Sequence, residues 1–262
     1  MATDDEKKHT KVLKRVMAHL QNASFDKTPP ELSKHVHEII KATTECDDPY
    51  RTVKARDNAL AMRLYSEAKR IVGSSSDPLR AAIKLAIAGN VLDFGTPARF
   101  DIEQTMRGAV KTDFGIDDYE RFNSSLAGAK RVLYIADNAG EVVFDRFLLD
   151  QLRLKGKEIT YAVKDEPIIN DALAEDAKFA GIDQIAKVIP VGGGTPGVVL
   201  GLASPEFIDR YHGADMVIAK GQGNYESLSD EPIFFLLIAK CDLIAKDLKV
   251  KVGDMILKFG GK

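Results

Sequence analysis

Two short polar segments of this chain carry the residue types and spacing that chemistry needs. The first is Asp137-Asn138-Ala139-Gly140-Glu141, directly after the apolar run at 132–136. The second is Lys164-Asp165-Glu166-Pro167-Ile168-Ile169-Asn170-Asp171, after the β-rich run at 159–163. If these runs are neighbouring parallel strands, their C-terminal ends lie about 5 Å apart and the two loops can share one ligand. That end of a parallel α/β sheet is where ligands bind. Two carboxylates with an amide oxygen form an all-oxygen set, which suits a hard cation such as Mg²⁺ or Mn²⁺ rather than zinc. Waters and a substrate phosphate would complete the octahedron. A structural role stands beside this one, since Asp171 can cap a helix starting at Ala172 and Asn138 can bond within its own turn.

A third segment, Ala219-Lys220-Gly221-Gln222-Gly223-Asn224-Tyr225-Glu226, follows the run at 216–220. Its glycines let backbone N–H groups approach an anion, and Lys220 offers a point charge suited to phosphate. It is neither a Walker loop nor a dinucleotide fingerprint, and no glycine fingerprint follows the run at 132–136. Gly192-Gly-Gly194-Thr-Pro-Gly197 is expected on the same edge as a mobile loop or a lid. The five histidines show no ligand pattern, and His35 and His37, two apart, face different sides of a helix. No serine sits in a GxSxG elbow, which disfavours a serine hydrolase.

The elements that must position these groups fall into two textures. From Glu6 to about Phe122 apolar residues recur at three- and four-residue spacing, the mark of helices. Pro30 is placed to start one of them, Asp47-Asp48-Pro49 another, and Asp77-Pro78 a third that is apolar for most of its length. The third ends at Gly89-Asn90, with Asp93 close behind, where two polar side chains stand among apolar neighbours. After Ser125 short β-rich runs alternate with helices in the manner of βαβ units. Strands are expected at 132–136, 159–163, 186–191, 216–220, 242–245 and 254–258, and helices at 142–154, 171–180, 205–211 and 233–240. The expectation is an α/β fold in which a helical part, 1–125, packs on a mainly parallel, Rossmann-like three-layer sheet domain, 126–262.

Composition sets outer bounds. With 45% hydrophobic residues the 262-residue chain can bury a substantial core, and a formal net charge of −2 with interspersed signs makes no case for nucleic acid. Cys46 and Cys241 are far apart and show no ligand spacing, so buried free thiols are expected. The charged N-terminus lacks a signal peptide's apolar segment, and the longest apolar run, 233–239, is far shorter than the ~20 residues that span a bilayer. A cytoplasmic protein without a membrane partner is expected.

Taken jointly, several motifs resemble the damage-control phosphatases, also known as domain of unknown function 89 and as acidic-residue-methyltransferase-like proteins. They are Asp-Asn-Ala-Gly-Glu at 137–141, Pro-Ile-Ile-Asn-Asp at 167–171, Ala-Lys-Gly-Gln-Gly-Asn-Tyr-Glu at 219–226 and Lys-Cys-Asp at 240–242. Asp48-Pro-Tyr50 with Lys54 and Asn58, and Gly89-Asn90 with Asp93-Phe94, are similar to the archaeal and bacterial-type branch. The resemblance implies a divalent metal (Mg, Mn, Co or Ni) held by Asp137, Asn138 and Asp171, and hydrolysis of small phosphometabolites such as sugar phosphates or phosphopantetheine-like compounds. Ala172 departs from the small polar residue expected after Asp171, which touches only outer hydrogen bonding.

On this basis Asp137, Lys220 and Glu141 are the candidate catalytic groups. Gly221, Gly223 and Asn224 would hold phosphate oxygens, with Asn90 and Asp93 reaching the leaving alcohol or sugar hydroxyls. Attack by Asp137 itself and attack by a metal-bound water both remain open, and Glu141 is either a base or a helix-capping residue. Two rivals accompany this reading: an S-adenosylmethionine-dependent carboxyl methyltransferase, and a non-catalytic metal or metabolite binder.

Overall fold

The computed structural model of the chain describes residues 2–24, 26–92 and 108–261, so the candidate Asp93 lies outside the described residues. The helical part opens with α1 (Glu6–Gln21), α2 (Pro29–Thr44), α3 (Arg51–Ser74) and α4 (Pro78–Ala88), the last running into a 3₁₀ turn, Gly89–Leu92. Each start has a local cause. Thr28 and Glu31 form a capping box ahead of α2, and the Asp77 carboxylate accepts from the Arg80 N–H at the head of α4. All of α4 except Pro78 and Arg80 is buried, as its largely apolar sequence requires.

The remainder alternates strand and helix: β1 (Ile116–Asp117), α5 (Tyr119–Gly128), β2 (Arg131–Ile135), α6 (Glu141–Leu154), β3 (Glu158–Val163), α7 (Ala174–Phe179) and β4 (Lys187–Pro190). It continues with α8 (Pro205–Gly213), β5 (Met216–Lys220), α9 (Gly221–Leu228), β6 (Phe234–Ile238), α10 (Asp242–Leu248) and β7 (Met255–Phe259). The strands form one sheet in the order β1-β7-β6-β5-β2-β3-β4, parallel throughout except for the β6–β7 pair.

Side-chain alternation along each strand divides the core into two layers. Val132, Tyr134 and Ala136 face α3, α4 and α6, while Leu133 and Ile135 face the layer that includes α8, α9 and α10. This gives the expected three-layer α/β architecture. From β2 the chain moves outward through β3 and β4, then returns to add β5 on the other side of β2. The order therefore reverses between β2 and β5, and the crevice above that reversal is where such sheets bind ligands.

Two adjacent assignments are corrected. The run at 233–240, expected as a helix, is β6, and 242–245, expected as a strand, begins α10. Phe-Phe-Leu-Leu-Ile is covered on both faces, and a short all-apolar run has no periodicity to separate a buried strand from a buried helix. The helix expected from Asp171 begins at Ala174 instead, with the Asp176 carboxylate accepting from the Leu173 N–H. Cys46 and Cys241 are free but half-buried, rather than fully buried as expected. Among the described residues no helix is long and apolar enough to cross a membrane.

Candidate active site

The loops leaving β2, β3 and β5 converge above the reversal. Asn138 and Asp171 pair as an isolated antiparallel bridge, tied further by Ala139 N–H to Asn170 O at 2.9 Å and Ala172 N–H to Asp137 O at 2.8 Å. Asp171 is thus built into the site and does not cap α7. Ala172 contributes through its backbone alone, its carbonyl accepting from Lys164 N–H at 2.9 Å. Ile169, at φ 44°, supplies the sharp turn that brings Asp171 back toward β2.

Two glycines make the convergence possible. Gly140 lies at φ 81° against α3, where its N–H donates to Asn58 Oδ1 at 2.6 Å. The Asn58 amide also donates to Asp176 at 2.6 Å, so one side chain of the helical layer ties the β2 loop to α7. Lys54, one turn earlier, is buried with its ammonium 2.8 Å from Asp48. Gly221 lies at φ 80°, and a Cβ there would fall on the Asp137 carboxylate.

The side chains form a continuous polar cluster. Asp137 Oδ2 accepts from Asn90 Nδ2 and Asn138 Nδ2, each at 2.9 Å. Glu141, the first residue of α6, accepts on Oε1 from the same two amides. Its Oε2 accepts from Lys220 Nζ at 2.9 Å, and Lys220 donates again to Asp145 Oδ1 at 2.8 Å. Asp145 is surrounded by donors, with Tyr134 OH at 2.7 Å and Tyr161 OH at 2.8 Å. On the other flank the Lys164 ammonium lies 3.6 Å from Asp171 and donates to Gly197 O at 2.6 Å, which anchors the glycine-rich loop at the site. Asn224 donates to Ala136 O and Lys220 O, pinning the start of α9 to the ends of β2 and β5.

Of the sequence candidates, Asp137, Asn138, Asp171, Glu141, Asn90, Lys220, Gly221 and Asn224 are brought together. Gly223 lies one turn into α9, beside Gly197. Lys220 occupies a different place from that of an open phosphate ligand. As the last residue of β5 it continues the face of Met216 and Ile218, so its fully buried ammonium lies under α6 between two carboxylates. Sequence reasoning passed over Asp145, and it gave no role to Lys164, the first residue of the second polar segment. Asp145 had a signal, being the acid one turn after Glu141 inside the otherwise apolar stretch Val-Val-Phe-Asp. The role of Lys164 had no signal, because its inward direction follows from strand register.

The electrostatics are unbalanced. Asp137, Glu141, Asp145 and Asp171 are four acids beside the two buried ammonium groups of Lys164 and Lys220, a formal surplus of two acids, with the exposed Lys240 also acting on Asp137. Desolvation, then the charges of Glu141 and Asp171, hold Asp137 well above the usual carboxylate range, with Lys240 and Lys220 working the other way. Desolvation pushes Asp171 up to about 6 against the pull of Lys164, and it also raises Asp145. Asp145 and Glu141 overcome burial at Lys220 and hold its ammonium charged.

The donor chemistry bears on whether such a site could hold a divalent cation. Among the described residues no three His, Cys, Asp or Glu side chains make a ready ligand set, so carboxylate and amide oxygens would have to combine. Asp137, Asn138 and Asp171 are the residues placed for this, and the buried Oδ1 atoms of Asn90 and Asn224 have no hydrogen-bond partner. An all-oxygen donor set of carboxylates and amides is the kind that hard dications take.

Comparison with known proteins bears on the family of the chain. The damage-control phosphatase ARMT1-like domain matches residues 1–256. A protein of Methanocaldococcus jannaschii is 37% identical over 97% of this chain and 88% of its own length. A damage-control phosphatase of Archaeoglobus fulgidus is 35% identical over 98% of this chain and 92% of its own length. The crystal structure of a DUF89 family protein from Pyrococcus horikoshii superposes with a TM-score of 0.91 at 34% identity, covering 100% of this chain and 92% of that one. Motifs, topology and relatives converge, and the chain belongs to the damage-control phosphatase ARMT1-like family.

Proposed function

We propose that this protein is a divalent-metal-dependent phosphatase that hydrolyses phosphomonoesters of small metabolites, sugar phosphates or phosphopantetheine-like compounds among them. The observation that carries the reading is the buried surplus of negative charge at the sheet's reversal point, where Asp137, Asn138 and Asp171 meet. The name of the Archaeoglobus relative supports the phosphatase class.

Asp137, Asn138 and Asp171 would hold the cation, which when bound supplies Lewis-acid withdrawal of charge from the phosphoryl oxygens. The chain's own residues do the rest. Asp137, only half-buried while its neighbours are buried, is the member of the cluster that meets substrate. Lys240, exposed past the end of β6, is the cation whose charge reaches Asp137 most strongly, and in this reading it would receive a phosphate. Backbone N–H groups at the head of α9 add partial positive charge at the same crevice. Asn90 brings the helical layer to the reacting carboxylate.

Phosphate release from a panel of phosphometabolites with Mg²⁺, Mn²⁺, Co²⁺ or Ni²⁺ tests this. Turnover by wild type and its loss in Asp137→Ala and Asp171→Ala are expected. Equal inertness of wild type and variants, together with micromolar binding of S-adenosylmethionine, would replace the reading with the methyltransferase. Metal binding without any turnover would leave a binding protein.

A further inference from the structure

Beneath the site lies a second layer of charge that touches neither the proposed cation ligands nor the crevice. Asp145 is completely buried on α6, one turn below Glu141, and among the described residues it accepts from three side chains: Tyr134 from β2, Tyr161 from β3 and Lys220 from β5. Three adjacent strands thus each send one side chain to a single carboxylate. The two tyrosine rings stack, with centroids 5.4 Å apart, so their hydroxyls hold Asp145 in one place.

What Asp145 holds in turn is Lys220. The ammonium spans Asp145 Oδ1 at 2.8 Å and Glu141 Oε2 at 2.9 Å. With Oε2 engaged, Glu141 turns Oε1 toward the amides of Asn138 and Asn90, which also contact Asp137. Burying a carboxylate so deeply is costly unless it is paired and fully hydrogen-bonded. A simple core would have been cheaper with a leucine at position 145, where the neighbours Phe144, Leu148 and Leu149 are apolar and buried. The arrangement is an anchor for something above it.

We infer that Asp145 is a positioning residue: acting through Lys220, it fixes the Glu141 carboxylate and so sets the orientation of the Asn138 and Asn90 amides at Asp137. The inference rests on the proposed function only where it is extended to metal affinity. Its core is a statement about the amides, testable without any cation.

The test compares wild type with Asp145→Asn, Lys220→Met and the double variant, reading the side-chain amide ¹⁵N resonances of Asn90 and Asn138 without added metal. Mn²⁺ binding is then measured by calorimetry. Asp145→Asn should move both amide resonances, and the double variant should look like Lys220→Met alone, because the two residues act in series. Mn²⁺ affinity should fall about 10- to 100-fold in all three variants, the size seen when partners behind a ligand are removed. Tyr161→Phe, a milder change that keeps Lys220 paired, should give a smaller shift of the same kind and serves if Asp145→Asn does not fold. Unmoved amide resonances in a folded Asp145→Asn protein, or additive effects in the double variant, overturn the inference. If wild type binds no Mn²⁺, the metal reading fails, while the amide resonances still decide the role of Asp145.

Discussion

The two edges of the sheet solve the problem of charge in opposite ways. At the N-terminal edge a cleft of about 620 Å³ is lined by Arg131, Glu158, Lys187, Glu206 and Arg210 among others. The acids of this edge are exposed, and ion pairs form in solvent: Lys187 meets Glu206 at 2.7 Å, and Arg131 meets Asp215, beside the cleft, at 2.9 Å. Asp215 and Glu206 are accordingly held below the usual carboxylate range, chiefly by hydrogen bonds from those partners. At the C-terminal edge Asp137 and Asp171 are held above it, because burial outweighs the lysines nearby. An open cleft thus lies at one edge and the desolvated acids at the other. A satisfied, solvated ion pair has little left to give a ligand, whereas a desolvated acid with surplus charge is stabilised by any cation that reaches it.

The sharpest way to break this contrast is to remove an acid at the upper edge. Asp171→Ala should lower phosphatase kcat/KM by about 10³-fold or more, since a lost ligand forfeits several kcal/mol of charge stabilisation. Steady-state phosphate release with Mn²⁺ measures it. Gly221→Ala comes next, because its Cβ would fall on the Asp137 carboxylate at a backbone angle of φ 80°. A loss of activity of about 10²-fold, with a lower melting temperature, is expected.

The third prediction concerns pH. Asp171 titrates near 3.8 when unfolded and at about 6 when folded. Between those values the folded chain holds a proton that the unfolded chain has released, so stability without metal should decline as pH rises through that window. A cation favours the ionised acid, so stabilisation by Mn²⁺ should grow across the same window. Thermal melts at about pH 5 and about pH 7.5, with and without Mn²⁺, should differ by on the order of a few kcal/mol in the metal-dependent part. A metal effect that is the same at both pH values would count against the buried acids as its origin. The smallest effect is expected at the other edge. Lys187→Ala should change stability by no more than about 1 kcal/mol and leave turnover unaltered, as exposed pairs do.

Much of the upper edge was legible because its signals are local. An apolar run that stops on Asp-Asn, and a second that stops on a loop ending in Asn-Asp, announce strand ends whatever the partners of the strands are. The parallel β2–β3 pairing then brought Asn138 and Asp171 into one bridge. The failures occur where local signals are silent. At 233–245 strand and helix were exchanged because an apolar run looks the same from inside either. Lys220 was read as a phosphate ligand from its residue type, while its direction was set by the alternation that puts it on the face of Ile218.

The sequence by itself determined that acids and amides stand at strand ends, that a helical layer precedes an α/β sheet, and that no glycine fingerprint follows the first long strand. Those properties follow from residue type and short-range spacing. Only the tertiary structure decided that the reversal of strand order falls between β2 and β5, beneath Asp137. It also decided that Asn90 and Asn58 reach the site from the helical layer, and that Lys220 is shared by Glu141 and Asp145. These depend on contacts between residues 47 to 82 positions apart in the chain. No local pattern carries such information, because which buried charges neutralise one another is settled only when the layers close.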